Sequence, residues 1–393
     1  MTVPARTPLP LVLVGARGHG RRHLENIRRL EALGLVRLVG VCDVTPLTSG
    51  ELGGFGDRED PPRQSPDLAE LLESTRPAIA VVCTPIPTHA DLALLAAAHG
   101  AHLLVEKPPA PSYAEFLRMA DGIGKAGVAC QIGFQSLGSD AVPAIRALIA
   151  EGAIGKVRGV GAAGAWARDE AYYRRAPWAG RRRLDGADVL DGVLTNPLAH
   201  AVATALALEG GARAEDAAAV ETELFRANAI ESDDTSCVRV TTARGGRVTV
   251  AATLCAEEPA EPYVIVHGER GRITFWYKQD RVVLRRAGQA PVETVHGRTD
   301  LLENLVAHLT GGAELLVPPA ATGAFMRVAE AVRQSPDPAE LPSNAWHFTT
   351  PVNPAEGDTD ARRRVVPGVD ALVAASAETL SLYSELDAPW RSA

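Results

Sequence analysis

The sequence predicts an α/β protein of two domains: a doubly wound parallel sheet over residues 1–134, then an α+β domain with a large, open, mostly antiparallel sheet over residues 135–393. The first observation is that short apolar runs alternate with helical patterns in the first third of the chain. The second is that longer strand patterns separated by glycine-rich turns follow. The third is size, because 393 residues, 46% hydrophobic and 22% charged, are comfortable for two folded domains.

The first domain is predicted from strands that are apolar throughout and from the helices between them. Such strands are typical of a parallel sheet covered on both faces. The predicted strands are residues 11–14, 36–41, 79–83, 103–105 and 128–132, and the predicted helices are 21–33, 68–73, 89–99 and 113–126. Glycine follows the first and third of these helices, as it often does where a helix ends.

The second domain starts with a predicted helix at 141–151. Its predicted strands are 157–165, 219–226, 236–242, 247–254, 263–267 and 272–276, and its further helices are 194–208, 301–309, 320–334 and 369–386. Residues 335–393 form a C-terminal extension, in which the proline- and aspartate-rich stretch 335–367 is interpreted as a meandering connection.

Composition argues against several classes of protein. A net charge of −8 without a basic tract argues against nucleic acid as a partner. The five cysteines are widely spaced and form no CxxC pair, so we expect neither a disulfide framework nor a metal site, and we expect a cytoplasmic location. No apolar run approaches the length of a membrane span, and the N-terminus lacks a signal-peptide pattern.

A glycine-rich turn joins the first predicted strand to the first predicted helix. Gly15 and Gly20 hold the outer positions of a G-x-G-x-x-G pattern, but Arg17 replaces its middle glycine, with Gly18 and His19 beside it. Such a turn lets phosphates approach the N-terminus of the helix, where free N–H groups favour anions. The pattern therefore predicts a dinucleotide site, and the alternative is an ordinary strand-to-helix turn.

Asp43, at the end of the second predicted strand, supports the dinucleotide interpretation. A carboxylate there can accept hydrogen bonds from ribose hydroxyls and would repel a 2′-phosphate, which favours NAD over NADP as the cofactor. Arg17 and Arg21 lie close enough in sequence to offset one negative charge.

Lys107 ends the fourth predicted strand and stands out because the chain has only four lysines. Unlike arginine, lysine loses its proton readily when it is desolvated or placed near positive charge. Pro108 removes a backbone donor and favours an extended Lys107, and the peptide bond between them can be cis. A surface lysine before a turn is the alternative.

Three motifs together resemble the Gfo/Idh/MocA family of NAD(P)-dependent oxidoreductases. They are the GARGHG turn at 15–20, Cys83-Thr84-Pro85 and Glu106-Lys107-Pro108. The resemblance implies a Rossmann domain, a second domain whose open sheet often forms an oligomer interface, and action on a secondary alcohol of a sugar, cyclitol or related polyol. It also implies a catalytic role for Lys107 at the nicotinamide, and cofactor-binding positions at Thr84, Pro85, His89 and Glu106.

The family also supplies a carboxylate and a histidine four residues apart on a helix facing that lysine. The counterparts here are Asn196 and His200, so an amide stands where the family has an aspartate. A four-residue spacing puts both side chains on one helical face. Asp191 is an alternative carboxylate, although the family has a glycine-rich turn at its position.

These residues suggest a chemistry of proton and hydride exchange. An alcohol that gives a hydride to nicotinamide must also lose its hydroxyl proton. We assign His200 as the base for oxidation, or the acid for reduction, because its ordinary pKa of about 6.5 suits that exchange. Lys107 would hydrogen-bond the substrate oxygen, and without the family carboxylate it is a rival base. The alternative for His200 is a histidine held on an apolar helix.

Aromatic and arginine residues alternate in the segment 166–183. The candidates for substrate binding there are Trp166, Arg168, Tyr173, Trp178 and Arg181, together with Asn196 and His200. Aromatic faces stack on sugar rings, and guanidinium groups bind hydroxyls or anions. A subunit interface is the alternative, because it is enriched in the same residue types.

The sequence thus predicts an NAD-dependent dehydrogenase of a sugar, glycoside or cyclitol, assembled as a homo-oligomer, a dimer or tetramer, through the C-terminal sheet. One alternative is a lyase or glycosidase that uses bound NAD for transient oxidation. A catalytically silent protein that senses a dinucleotide or sugar is another.

Overall fold

A computed structural model describes residues 7–350, 362–388 and 390. The chain divides into two compact units: a first unit of Met1–Phe134 with Thr299–Pro319, and a second unit of Gln135–Arg298 with Ala320–Ala393. The sequence assigned residues 299–319 to the second domain, whereas the structure packs them with the first. The side chain of Gln131 links the two parts of the first unit, because its Oε1 accepts from Val317 N at 2.7 Å.

The first unit alternates strands with helices. Its elements up to residue 134 are β1 (Leu9–Val14), α1 (Gly20–Ala32), β2 (Val36–Cys42), α2 (Ser49–Leu52), β3 (Arg63–Ser65), α3 (Leu68–Thr75), β4 (Ile79–Val82), α4 (His89–Ala98), β5 (His102–Val105), α5 (Tyr113–Ala126) and β6 (Cys130–Ile132). The strands form one sheet in the order β3-β2-β1-β4-β5-β6, and every pair in it is parallel. The predicted parallel sheet is therefore confirmed, with the polar edge strand β3 added.

The order of this sheet determines where a ligand can bind. The chain runs outward from β1 to β2 and β3, and then returns to the other side of β1 as β4. Loops after β1 and β4 therefore diverge and leave a crevice at the carboxyl ends of the strands. The glycine-rich turn follows β1, Cys83 follows β4 and Glu106 follows β5, so all three motifs lie at this edge.

The second unit has a larger sheet. Elements from residue 135 to 298 are α6 (Ala141–Ala150), β7 (Val157–Ala165), α7 (Glu170–Arg174), β8 (Arg183–Leu184), β9 (Ala187–Asp188), α8 (Ala199–Glu209), β10 (Ala217–Arg226), β11 (Thr235–Thr242), β12 (Arg247–Thr253), β13 (Tyr263–Gly268), β14 (Gly271–Trp276), β15 (Arg281–Arg286) and β16 (Val292–Val295). After α9 (Leu301–Gly311) of the first unit come α10 (Gly323–Gln334), β17 (Ala339–Glu340), β18 (His347–Thr349), β19 (Arg363–Val365) and α11 (Val369–Thr379).

Nine strands of the second unit form a mixed sheet in the order β16-β15-β14-β13-β7-β12-β11-β10-β17. All neighbours are antiparallel except β7 with β12 and β10 with β17. The predicted large, mostly antiparallel sheet is confirmed. Strands β15, β16 and β17 of this sheet were not predicted.

Helices cover both faces of the central strand β7. A side chain added at Gly161 would overlap the backbone of Ala377 in α11, whereas one added at Gly164 would overlap the side chain of Leu198, just before α8. Residues at odd separation along a strand face opposite sides of the sheet. Residues of α11 and the turn after it form a buried core with the sheet, in which Val373 and Tyr383 are 1% and 0% exposed. The C-terminal extension thus covers central strands that an oligomer partner was expected to cover.

The bounds of two predicted helices were wrong. Helix α8 begins at Ala199, five residues later than predicted, and the last helix ends at Thr379. The acidic segment 231–235 is partly buried, with Asp233 and Asp234 only 3% and 0% exposed. Within the described residues, no helix is long and apolar enough to cross a membrane.

Candidate functional site

The glycine-rich turn fits a bound pyrophosphate. Gly15 has φ +84, and an added Cβ there would overlap the carbonyl of Cys83, so the tight turn requires glycine. An added Cβ at Gly20 would overlap the Gly15 carbonyl, whereas at Gly18 it would meet open space. Helix α1 has no acidic residue in its first turn, so the positive end of its dipole is left for an anion.

Asp43 and Arg17 form an ion pair at the end of β2. Asp43 Oδ2 accepts from the Ala16 N–H at 3.0 Å, and its Oδ1 accepts from Arg17 Nη1 at 2.8 Å. Arg17 also donates to Glu51 at 3.1 Å. Arg17, which replaces the middle glycine, therefore holds the glycine-rich turn to the Asp43 carboxylate. It also offsets the charge of Asp43, as its position in the sequence suggested.

His89 is the buried first residue of α4. It is 1% exposed, and its two ring nitrogens lie 2.7 Å from the Thr84 carbonyl oxygen and 2.9 Å from that of Pro108. Burial lowers the pKa of His89, although both carbonyls oppose this effect. His89 therefore ties the loop after β4, which contains Pro85, to the segment after β5.

Glu106 is buried, with 6% of the residue exposed. Its carboxylate faces His23 of α1 and His19, the N-cap residue of that helix. His23 Nε2 lies 2.9 Å from Glu106 Oε1, and His19 Nε2 lies 3.6 Å from it. Burial alone would raise the pKa of Glu106, but the hydrogen bonds of His19 and His23 outweigh it and hold the pKa well below its usual value.

The sequence predicted no metal site. The ligand-type atoms of His19, His23 and Glu106 nevertheless lie within 4.8 Å of one another, so this group of the described residues could hold a metal ion. The pairing of imidazole with carboxylate accounts for the same contacts without an ion.

Lys107 is the second residue after β5, next to Glu106, and is half-buried. Its backbone N–H donates to Glu106 Oε2 at 3.1 Å, and the Lys107–Pro108 peptide bond is cis, as the sequence allowed. The loop after β5 thus carries the lysine at the edge of the sheet that also holds the glycine-rich turn.

In the second unit, His200 lies in the first turn of α8, backed by two hydroxyls. Its Nδ1 lies 3.2 Å from Ser136 Oγ, and Thr204 Oγ1 donates to the same Ser136 Oγ at 2.9 Å. The ring of Tyr277 lies beside the imidazole, 6.4 Å between centroids. The sequence reasoning missed all three residues. Only Thr204, four residues after His200, carried a local signal.

Asn196 does not share a helical face with His200, because it lies in the turn before α8. Its Nδ2 donates to Asp191 Oδ1 at 2.6 Å, while Asp191 Oδ2 accepts from Gly180 N at 2.7 Å and from Arg175 Nη2 at 3.2 Å. Burial raises the pKa of Asp191, against the opposing charge of Arg175. Asp191, the alternative carboxylate, is therefore hydrogen-bonded to the side chain of Asn196.

Arginines cover the aromatic faces of the segment 166–183. The guanidinium carbon of Arg168 lies 5.0 Å from the ring centres of Trp166 and Tyr172, and that of Arg175 lies 3.6 Å from Tyr172 and 4.6 Å from Trp178. These are cation–π distances, each worth about 0.5–2 kcal/mol. The aromatic faces expected to meet a sugar are therefore stacked with side chains of the same segment.

A cavity of about 820 Å³ opens within the second unit. Tyr173, Gly180 and Arg181 line it from one side, and Arg226 and Ile230 line it from another. Of the predicted substrate-binding residues in the described chain, the structure brings Tyr173 and Arg181 to this cavity, whereas the other five belong to the stack or to α8 and the turn before it. The volume is that of a small-molecule site.

Comparison with known families gives two matches. Residues 9–134 match the GFO_IDH_MocA model, described as an oxidoreductase family with an NAD-binding Rossmann fold. Residues 142–274 match the model of the GFO/IDH/MocA C-terminal domain. The two matches meet near the boundary between the two units.

Individual relatives are more distant. Over 92 residues, 23% of this chain and 27% of the relative, the chain is 34% identical to scyllo-inositol 2-dehydrogenase (NAD(+)) of Bacillus subtilis, so it matches about a quarter of that relative's length. The WlbA dehydrogenase of Bordetella pertussis, solved with NADH and UDP-GlcNAcA, is 22% identical with a TM-score of 0.66, over 83% of this chain and 95% of that one. The aldose-aldose oxidoreductase of Caulobacter crescentus, solved with glycerol, is 20% identical with a TM-score of 0.67, over 83% and 96%. At such identities these structures share the fold.

Proposed function

The chain belongs to the Gfo/Idh/MocA family of NAD-dependent oxidoreductases, and on that premise we propose that it transfers a hydride between nicotinamide and a secondary hydroxyl or ketone of a sugar, glycoside or cyclitol. The observation that carries the proposal is Lys107 at the carboxyl end of β5, in the same unit as the glycine-rich turn. Relatives named for inositol, for aldoses and for a complex with a nucleotide sugar favour a polyhydroxylated substrate.

NAD is the proposed cofactor, and when bound it supplies the carbon that accepts or gives the hydride. The turn from Gly15 to Gly20 would hold the pyrophosphate at the start of α1, and Asp43 would accept hydrogen bonds from the ribose hydroxyls. The negative charge of Asp43 disfavours a 2′-phosphate, and the guanidinium that could attract one is already bound to Asp43 and Glu51.

Lys107 and His200 are the proposed catalytic residues. Each offers a polar nitrogen on a segment with buried support: Glu106 beside the lysine, and Ser136 behind the histidine. The role proposed for Lys107 is a hydrogen bond to the substrate oxygen, and that for His200 is exchange of the hydroxyl proton. Asn196 is proposed to orient the substrate, and Asp191 accepts a hydrogen bond from its amide nitrogen.

The substrate-binding residues are proposed at two places in the second unit. Tyr173 and Arg181 line the large cavity, and Arg168 with Trp166 and Trp178 belongs to the adjoining stack. Guanidinium, hydroxyl and carboxylate groups occur together in the segment 166–183, and this mixture suits a ligand with many hydroxyls.

Incubation of the purified chain with NAD and a panel of polyols tests the function. Net reduction of the nicotinamide, followed by its absorbance, supports the dehydrogenase. Product without net reduction supports instead the transient-oxidation lyase or glycosidase. Tight cofactor binding without any product over the whole panel overturns both and favours a sensor.

The proposed assembly is a homo-oligomer, a dimer or tetramer, in the cytoplasm. Helix α11 covers the central strands on one face. The proposed contact between subunits therefore involves outer strands such as β16, where Val295 is 70% exposed. The five cysteines are free thiols, which suits a reducing compartment. Light scattering of the full chain measures the assembly.

A further inference from the structure

We propose that His19, His23 and Glu106 form a site for one divalent transition-metal ion of the zinc class within the first unit. Two imidazole nitrogens and one carboxylate oxygen are the protein ligands. A fourth position stays open for water or for an oxygen or nitrogen atom of a bound molecule. The inference goes beyond the proposed function, because the hydride transfer proposed above gives no role to a metal ion.

The three ligand atoms converge on one small volume. His23 Nε2 and His19 Nε2 lie 2.9 Å and 3.6 Å from the same oxygen, Glu106 Oε1, and all three atoms lie within 4.8 Å of one another. Ligand atoms bound to tetrahedral zinc at about 2.0–2.1 Å lie about 3.3 Å apart. An ion therefore fits among the three atoms after small movements of their side chains.

Two elements of the first unit bring the ligands together. His19 is the N-cap of α1, with helical dihedral angles, and His23 follows four residues later, so both imidazoles lie on one face of the helix. Glu106 follows β5 directly. Its other oxygen, Oε2, accepts from the Lys107 backbone N–H at 3.1 Å. Such outer hydrogen bonds orient the carboxylate ligands of metal sites.

Burial and charge suit a bound cation. The side chains of His23 and Glu106 are 6% and 8% exposed, whereas that of His19 is 55% exposed, so an ion can enter from the side of His19. Burial raises the pKa of Glu106, but the hydrogen bonds of both histidines hold it well below its usual value, and the carboxylate is charged at neutral pH. An exposed imidazole 3.6 Å from a carboxylate gains little from that contact alone. A shared ion explains why His19 points inward.

The ligand types select the class of metal. Imidazole nitrogen suits zinc, cobalt and nickel, whereas magnesium and calcium prefer a larger number of oxygen ligands. The positive end of the α1 dipole opposes a cation, but that effect amounts to about 2- to 30-fold in affinity, which three ligand bonds outweigh. A bound ion would join the start of α1 to the end of β5, on either side of the glycine-rich turn and Lys107.

Titration of the full chain, first stripped of metal by a chelator, with Co²⁺ tests the site directly. We expect one Co²⁺ per chain, displaced by one Zn²⁺ and not by Mg²⁺. The spectrum should lack the near-ultraviolet band of a cobalt–thiolate bond, because no cysteine is a ligand. Failure of both Co²⁺ and Zn²⁺ to bind at about 100 μM would overturn the inference. A thiolate band would also overturn it, since the ion would then sit on one of the free cysteines.

Variants show which side chains hold the ion. His19→Ala removes the exposed ligand without disturbing the core, and Glu106→Gln removes the charge of the buried one. Each should weaken zinc binding by about tenfold or more. His99→Ala is the matched control, because it removes another exposed imidazole of the same unit, at the end of α4, and should leave the zinc affinity unchanged. Equal zinc affinity in the wild type, His19→Ala and Glu106→Gln would place the ion elsewhere and defeat the proposal.

Thermal unfolding shows whether the ion joins the two elements in the folded chain. A ligand that binds the folded state and not the unfolded state raises the Tm. Zinc should therefore raise the Tm of the wild type and of His99→Ala by the same amount, and it should raise that of His19→Ala much less. The same rise in His19→Ala as in the wild type would contradict the site.

The metal site and the proposed function fail separately. The titrations need neither NAD nor a substrate, so a polyol panel without turnover would defeat the proposed function and leave the metal site standing. A chain that reduces NAD but binds neither Co²⁺ nor Zn²⁺ would defeat only the metal site.

Discussion

The two units position their polar side chains in different ways. In the first unit the candidate residues follow consecutive parallel strands, so each one is carried by a short motif at a strand end. In the second unit the group around α8 is assembled from positions as far apart as Ser136 and Thr204. Parallel strands bring their carboxyl ends to one edge by topology alone, whereas a mixed sheet gives no such guarantee. The first arrangement can be predicted from local sequence, and the second requires the fold.

The surroundings of two carboxylates, Asp43 in the first unit and Asp191 in the second, also differ. Arg17, Asp43 and Glu51 of the first unit meet near the surface, where water screens their charges. Asp191 of the second unit is 4% exposed and is held by a backbone N–H, an amide and a guanidinium. Removal of the Asp43 carboxylate should therefore change ligand choice, and removal of the Asp191 carboxylate should also change stability.

The largest expected effect is at Lys107, where the first unit contributes to chemistry. Lys107→Met should lower kcat by about 10²–10⁴-fold, because the hydrogen bond to the substrate oxygen and the rival candidate for the base are both lost. Cofactor affinity, measured by the fluorescence of bound NADH, should stay within a few fold. Lys125→Met is the matched control, since Lys125 is 76% exposed and pairs with Asp121. Normal turnover of Lys107→Met would remove the lysine from the mechanism.

Local signals explain what the sequence predicted correctly. The apolar strands β1, β4 and β5 and the glycines around Gly15 reflect constraints within a few residues, so the parallel sheet and its loop could be predicted. Strand β3 was missed because Arg63-Gln64-Ser65 is polar and lies at an edge. The late start of α8 did have a signal in Pro197, since the residue before a proline is disfavoured in a helix.

The missed features are long-range contacts. The carboxylate behind Asn196 depends on a turn that places the Gly180 N–H and Arg175 around Asp191. The cover of the sheet by α11 depends on contacts such as that between Tyr383 and the carbonyl of Ala252, 131 residues apart. Periodicity shows that α11 has an apolar face but does not say which surface that face covers.

The substitution Asp191→Ala tests the second unit. Its effect should lie between those of Lys107→Met and Asp43→Asn. The Gly180 N–H and the Asn196 amide lose a buried acceptor, so the free energy of unfolding should fall by about 1–3 kcal/mol. Urea denaturation measures this loss. Asp188→Ala is the control, because Asp188 is 22% exposed and pairs with Arg183 and Arg333 near the surface. Equal stability of Asp191→Ala and the wild type would contradict the contrast between the units.

Asp43→Asn should have the smallest effect, and it concerns ligand choice. The amide oxygen can still accept from the Ala16 N–H, so the fold should be kept. Removal of the negative charge ends the repulsion of a 2′-phosphate and releases Arg17, 35% exposed, from one of its two carboxylates. The ratio of the Kd values for NADP and NAD should therefore fall by about tenfold, or about 1.4 kcal/mol. Calorimetric titration with both cofactors measures it, with Asp60→Asn, 82% exposed and paired with Arg37, as the control. If the ratio did not move, the charge of Asp43 would not set the preference, and the pairing with Arg17 would already have neutralised it in the wild type.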